Sequence, residues 1–163
     1  MALLKVENVT KRFGGIVAVN QVSMEIEAGA LLGIVGPNGS GKTTLFNVIN
    51  GVYAPDEGAV IFEGADITKL PPFKRAPLGI ARTFQIPRPF ASATVLENVA
   101  VGAMFGTHGK TTGVDDAMGR AETIIERVGL AQHRDKPAAV LTSVEKKMME
   151  IARALAMRPK LLL

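Results

Sequence analysis

The 163-residue chain carries 19 Lys and Arg against 15 Asp and Glu, a net charge of +4, and has no cysteine. That length suffices for one domain with a buried core, and the lack of cysteine excludes disulfides and thiolate metal sites. No run approaches the roughly 20 apolar residues that span a bilayer. The basic residues are scattered, and with one Tyr and no Trp a stacking platform for single-stranded nucleic acid has no support.

Leu3 to Thr10 alternates as a strand, without the charged start and apolar run of a signal peptide. Val17 to Ile26 offers one or two further strands, with turns at Gly14-Gly15 and Ala28-Gly29. Ala30 to Val35 is continuously apolar, as expected of a central parallel strand covered on both faces. A glycine-rich loop follows, and Thr43 to Asn50 reads as a helix with Leu45, Val48 and Ile49 on one face and Gly51 as its stop. Ala59 to Phe62 is a short strand, Leu70 to Arg75 a short helix opened by prolines, and Gly79 to Phe84 a further strand. Pro87 and Pro89 make Gln85 to Ser92 a loop. Thr94, with Glu97 three residues on, predicts a capping box and a helix through Val101.

Phe105 to Thr112, rich in glycine and threonine, reads as a mobile excursion. Val114 to Val128 is helical, with Met118, Ala121, Ile124, Ile125 and Val128 as its stripe and Gly129 as its end. A last helix from about Val144 to Met157 has Thr142 or Ser143 as cap, Glu145 in its first turn, and Met148, Ile151, Ala152 and Leu155 as its apolar stripe. Lys160 to Leu163 begins another buried strand.

The chemistry is concentrated at Gly36-Pro37-Asn38-Gly39-Ser40-Gly41-Lys42-Thr43, which matches G-x-x-x-x-G-K-[ST] in full. Glycines let consecutive backbone N–H groups turn inward around phosphates, and the following helix adds its positive end. Lys42 can reach the β- and γ-phosphates and the Thr43 hydroxyl can ligate Mg²⁺, so the expected ligand is Mg-ATP. A second Gly-Lys-Thr-Thr at Gly109 to Thr112 lacks both the leading glycine, since Met104 stands there, and a preceding buried strand. Gln85 would project from the C-terminal end of a strand, where ligands bind in open α/β sheets, although a glutamine there more often serves a loop hydrogen bond. Phe13 is an aromatic beside a turn, able to stack on a base or to join the core. His108 and His133 lie in polar surroundings without a partner at ligand spacing and read as surface residues; Asp115-Asp116 and Glu145-Lys146-Lys147 read as helix-start and solvated charges.

Taken in order, these pieces resemble the ATP-binding subunit of an ABC transporter. Lys11 to Val19 looks like the adenine-stacking loop, with Phe13 as its aromatic, and Gly36 to Thr43, extended by Thr44, is the phosphate loop. Ala81-Arg82-Thr83-Phe84-Gln85 looks like the Q-loop. The resemblance makes Gln85 a catalytic residue that links the γ-phosphate and Mg²⁺ to a transmembrane partner. Ile151-Ala152-Arg153-Ala154-Leu155-Ala156, followed by Pro159, matches the helix behind the family signature. The segments around Thr44 to Asn47, Gly79 to Gln85 and Thr94 to Val99 are nearest the branched-chain amino-acid importers.

The implied fold is α/β, a P-loop core with an N-terminal antiparallel β subdomain and a helical subdomain. The expected division is β subdomain and core over about 1–90, helical subdomain and signature helix over about 91–157, and the start of the Walker B strand over 158–163. The resemblance implies ATP and Mg²⁺ as cofactors, and permease subunits, a second ABC ATPase and, indirectly, an extracytoplasmic binding protein as partners. No nucleic acid is implied, and the site of action is the cytoplasmic face of the membrane. A soluble ABC ATPase without a membrane partner, or a nucleotide-binding remnant, are the alternatives.

Two departures stand out. The signature, usually Leu-Ser-Gly-Gly-Gln, reads Leu141-Thr142-Ser143-Val144-Glu145, which implies a weakened composite site and an asymmetric pairing with a different ATPase subunit. The sequence ends at Leu163, before the expected Walker B acids, which implies binding with little or no hydrolysis by these residues alone.

Overall fold

A computed structural model describes residues 2–106 and 113–163, which form two compact units, Met1–Arg75 and Ala76–Leu163. The expectations for His108, for Gly109 to Thr112 and for most of the excursion lie outside the described residues. Phe105 and Gly106 still belong to the turn that closes the preceding helix, where the Phe105 N–H donates to the Val101 carbonyl.

The first unit is built on an antiparallel sheet of β1 (Leu4–Phe13), β2 (Ile16–Ile26), β3 (Glu57–Phe62) and β4 (Ala65–Asp66), in the order β2-β1-β3-β4. Leu4 stands opposite Phe62 and Val6 opposite Val60, and all four side chains are buried, so alternation delivers one apolar face. The β1–β2 ladder shifts register near Asn8 and Gln21, both at positive φ, and the Gln21 N–H is recovered by the Thr10 hydroxyl at 3.1 Å. Val17 to Ile26 is therefore one bulged strand. At the far end of the hairpin, Asp56 accepts from the Arg12 N–H at 2.5 Å and from Lys11 Nζ at 3.1 Å. These donors hold its carboxyl below the usual carboxylate range, against a smaller opposing effect of desolvation.

Helix α1 (Lys42–Ile49) buries Leu45, Val48 and Ile49, as the sequence predicts. Its C-terminus is closed by a residue the sequence analysis missed. Arg75, at the end of the short helix α2 (Pro72–Arg75), is fully buried and donates to four carbonyls: Val48 at 2.9 Å, Ile49 at 2.7 Å, Leu70 at 2.7 Å and Thr68 at 3.0 Å. The guanidinium caps the negative end of α1. Burial pushes its pKa down to about 10, which leaves it charged at neutral pH. Gly51 makes room, since a Cβ there would stand 2.5 Å from Arg75 Nε.

Ala30 to Val35 is not a strand in this structure. Leu31 and Val35 are almost fully exposed, and Leu32 is half exposed. A parallel strand is held by ladder bonds to its neighbours, and the four strands of this unit are antiparallel and pair among themselves. The apolar run therefore lies without a ladder partner within its unit.

The second unit packs three helices, α3 (Val95–Met104), α4 (Val114–Arg127) and α5 (Ser143–Ala156), around Val95, Val99, Ala121, Ile125, Met149 and Ala152. Beside them β5 (Ile80–Ala81) pairs in parallel with β6 (Leu161–Leu162). The strand expected over Gly79 to Phe84 is thus shorter than its apolar pattern, although Thr83 prolongs the contact by donating its N–H to the Leu163 carbonyl at 2.9 Å. On α5 the buried face runs through Met149, Ala152 and Ala156, with Met148 partly buried and Ile151 36% exposed. The predicted stripe is therefore out of phase. Small residues face the core because α3 lies close: a Cβ on Gly102 would collide with the Arg153 carbonyl. Among the described residues no helix is long and apolar enough to cross a membrane, and no group of three His, Cys, Asp or Glu could hold a metal ion.

Candidate functional site

The candidate phosphate loop lies in the first unit, directly before α1. Its last residue before the helix, Gly41, has φ +87° and no side-chain cap, and a Cβ there would collide with the Ala18 carbonyl of β2. Only glycine meets both conditions. The loop is therefore pressed against the hairpin, and the first turn of α1 has no side-chain cap among the described residues. Nor is there an acidic residue in that turn.

Lys42 bends back over the loop. Its Nζ donates to the Gly36 and Pro37 carbonyls, both at 2.7 Å, and approaches Ser40 Oγ at 3.4 Å. An ammonium held among carbonyls over an uncapped helix start concentrates positive potential where an anion would sit. A cleft of about 480 Å³ opens here, lined by Val17 to Asn20 of β2 on one side and by Gly36, Ser40 and Lys42 on the other. Thr43 is exposed and Thr44 half-buried.

Phe13 sits at the tip of the β1–β2 hairpin, 43% exposed, so it is not a core residue. Its ring meets Tyr53 edge-on at 5.2 Å, and Lys11 Nζ stands 5.5 Å from its centroid. One ring face is thus steadied from within the unit, an arrangement that suits an aromatic platform.

Gln85 belongs to the second unit, at an exposed bend beyond β5. The loop around it is basic and aromatic. Arg82 and Arg88 lie 5.0 Å and 5.9 Å from the Phe84 ring centroid, and Arg153 lies 5.8 Å from that of Phe90. Its far end is pinned by Asn98, fully buried on α3, which accepts from the Phe90 N–H at 2.8 Å and donates to the Phe90 and Thr94 carbonyls at 3.0 Å and 2.9 Å. This clip was not read from the sequence, where Asn98 stood inside a predicted helix without a distinguishing pattern.

The segment Leu141 to Glu145 opens α5. Leu141 is buried, Ser143 and Val144 are exposed, and Thr142 is the N-cap of a complete capping box. The Thr142 N–H and hydroxyl both donate to Glu145 Oε2 at 2.7 Å, and the Glu145 N–H donates back to Thr142 Oγ1 at 3.3 Å. These bonds, the hydroxyl first, hold the Glu145 carboxyl below its ordinary range. The other carboxylate oxygen meets His133 Nε2 at 3.0 Å. His133 is therefore not the surface residue its polar neighbours suggested: its side chain is 15% exposed, and Nδ1 is buried with no hydrogen-bond partner among the described residues. The turn Ala131–His133 folds it inward onto the start of α5.

Comparison with known proteins interprets this arrangement. Residues 19–163 match the ABC transporter family. The chain belongs to that family. It is 39% identical to the "Probable branched-chain amino acid transport ATP-binding protein LivG" of Archaeoglobus fulgidus, over 100% of this chain and 66% of that protein. It is 36% identical to the high-affinity branched-chain amino acid transport ATP-binding protein LivG of Escherichia coli, over 99% of this chain and 68% of that protein. Among solved structures, a nucleotide-free ATP-binding cassette from an ABC transporter superposes with a TM-score of 0.84 at 36% identity, covering 99% of this chain and 68% of that one. The ADP conformation of an ATP-binding cassette aligns equally well, at 37% identity over 99% of this chain and 67% of that one. The chain thus spans about two thirds of the length of these relatives, and its α/β fold is that of a P-loop ABC core.

Proposed function

We propose that this chain supplies the nucleotide-binding side of the ATP-driven motor of an ABC importer. In this reading Gly36 to Thr43, with Thr44, cradles the triphosphate of Mg-ATP, Lys42 pairs with the β- and γ-phosphates, and the Thr43 hydroxyl ligates Mg²⁺. When bound, Mg²⁺ supplies charge neutralisation of the phosphate oxygens. Phe13 stacks on the adenine, and Gln85 carries the state of the γ-phosphate and its metal to a permease. The observation that carries the reading is the start of α1, uncapped, free of acidic residues and overhung by Lys42.

Branched-chain amino acids are the substrate class supported by the names of the relatives. The partners are permease subunits, a second ABC ATPase subunit and, indirectly, an extracytoplasmic binding protein, with the chain peripheral on the cytoplasmic face of the membrane. Turnover is assigned to the whole protein. Asymmetric pairing with a different ATPase draws support from the start of α5, where the Thr142 hydroxyl already donates its hydrogen bond to the Glu145 carboxylate and Val144 replaces a glycine of the usual signature.

Two measurements test this. Unfolding of the chain should shift upward with Mg-ATP by RT ln(1 + [L]/Kd), about 2.7 kcal/mol at a hundredfold excess over Kd. The tagged protein isolated from its own membranes should bring a permease with it. An unshifted transition would defeat the nucleotide assignment, and isolation without any integral membrane protein would defeat the transport assignment.

A further inference from the structure

The second unit holds another concave basic feature, sharing no residue with the Gln85 loop or with Leu141 to Glu145. It is a cleft of about 670 Å³ between α4 and the end of α5, within the roughly 300–1,000 Å³ range of small-molecule sites. Its chemistry follows from the sequence spacing. Asp116, Arg120, Thr123 and Arg127 recur at steps of four, three and four residues, which sets them along one face of α4. The opposite wall is Arg158, in the turn after α5, where its N–H donates to the Leu155 carbonyl at 2.9 Å. Ile124 and Leu155, both half-buried, make the floor.

Two details separate this cleft from an ordinary solvated helix face. Arg158 has φ +52°, a left-handed conformation unfavourable for a residue with a Cβ, and there its side chain lines the cleft. Arg120 donates to the Ala103 carbonyl of α3 at 3.4 Å, which ties one guanidinium to the neighbouring helix. Among the described residues, the guanidinium-bearing Arg120, Arg127 and Arg158 line the cleft together with Asp116, while Glu122 on another part of α4 pairs with Arg134 at 2.9 Å. Guanidinium forks match phosphate oxygens bidentately, and an apolar floor beneath them favours a ligand that is only partly charged.

We propose that this cleft binds a phosphorylated small molecule, with Arg120, Arg127 and Arg158 on the phosphate and Ile124 and Leu155 beneath its apolar part. The phosphate can come from a soluble metabolite or from the headgroup of an anionic lipid, and the experiment separates the two sources.

The full chain carrying Lys42→Ala, which weakens binding at the phosphate loop, is titrated with inorganic pyrophosphate while backbone amide shifts are followed. In parallel it is sedimented with phosphatidylcholine vesicles with and without phosphatidic acid. Saturable shifts at Arg120, Thr123, Arg127 and Arg158 are expected from a soluble phosphate. Sedimentation only with phosphatidic acid would support the same site with a lipid as source. In whichever arm binds, Arg127→Gln with Arg158→Gln should weaken binding about tenfold or more. Arg134→Gln, at an exposed ion pair outside the cleft, should leave it unchanged. Asp116→Asn removes the opposing charge and should tighten it, which keeps the proposal testable even where the double variant unfolds. Absence of saturation in both arms, or binding indifferent to the double variant and to Asp116→Asn, overturns the proposal.

Discussion

Helix α1 and helix α5 begin in opposite ways. The first turn of α5 is closed by its own side chains, Thr142 and Glu145, so that a carboxylate already sits at the positive end of the helix. Helix α3 repeats the device with Thr94 and Glu97. The first turn of α1 has neither hydroxyl cap nor acid, and Gly41 in the left-handed region leads into it. Backbone N–H groups at a helix start need an acceptor. Where the sequence supplies one, the helix is finished within the chain; where it does not, the N–H groups are left open to an external anion. Under the proposed function, the difference separates a structural helix start from a binding one.

The comparison can be broken most severely at the other end of α1. Arg75→Met should remove the cap on the Val48 and Ile49 carbonyls, leave buried acceptors without donors, and destabilise the first unit by about 3–5 kcal/mol, measured by denaturant unfolding. The binding start of α1 is probed by Lys42→Ala. Loss of charge-assisted contacts to phosphate should weaken Mg-ATP about 10- to 100-fold by equilibrium binding, with stability nearly unchanged because Nζ is exposed. A smaller effect is expected at the closed start: Thr142→Ala should cost about 1 kcal/mol of stability.

The smallest effect is that of acid. The Glu145 carboxyl has a folded pKa below its ordinary 4.5, so its contribution is complete above that value and is lost as pH falls through the folded one. Below about pH 4.5 the wild-type protein should therefore lose stability faster than Glu145→Gln in paired melting curves. Parallel curves would show that the capping carboxylate is not linked to folding.

What the sequence made legible follows the same division. The capping box at Thr94, the glycine stop at Gly51 and the phosphate-loop motif are local patterns, complete within eight residues; the structure carries the first two, and at α5, where the sequence offers Thr142 or Ser143 as cap, it selects Thr142. Features that depend on distant partners were missed or misread. Ala30 to Val35 has the composition of a central strand, yet a ladder needs neighbours and its unit offers none in parallel. On α5, Met148, Ile151 and Leu155 are the larger apolar residues, but close approach to Gly102 on α3 selects the face carrying Ala152 and Ala156. His133 reads as a surface residue from its polar neighbours, and Arg75 is not singled out, because such types are seldom enclosed. The carbonyls that enclose Arg75 and the Glu145 carboxylate that draws in His133 lie elsewhere in the sequence.

The most direct test of the distinction between the two helix starts is an amide shift map of the intact chain with Mg-ATP added. The account predicts large, saturable shifts at Gly39 to Thr44, with Thr142 to Lys146 unmoved. Shifts at the start of α5 in place of α1, or none at Gly39 to Thr44, would contradict it.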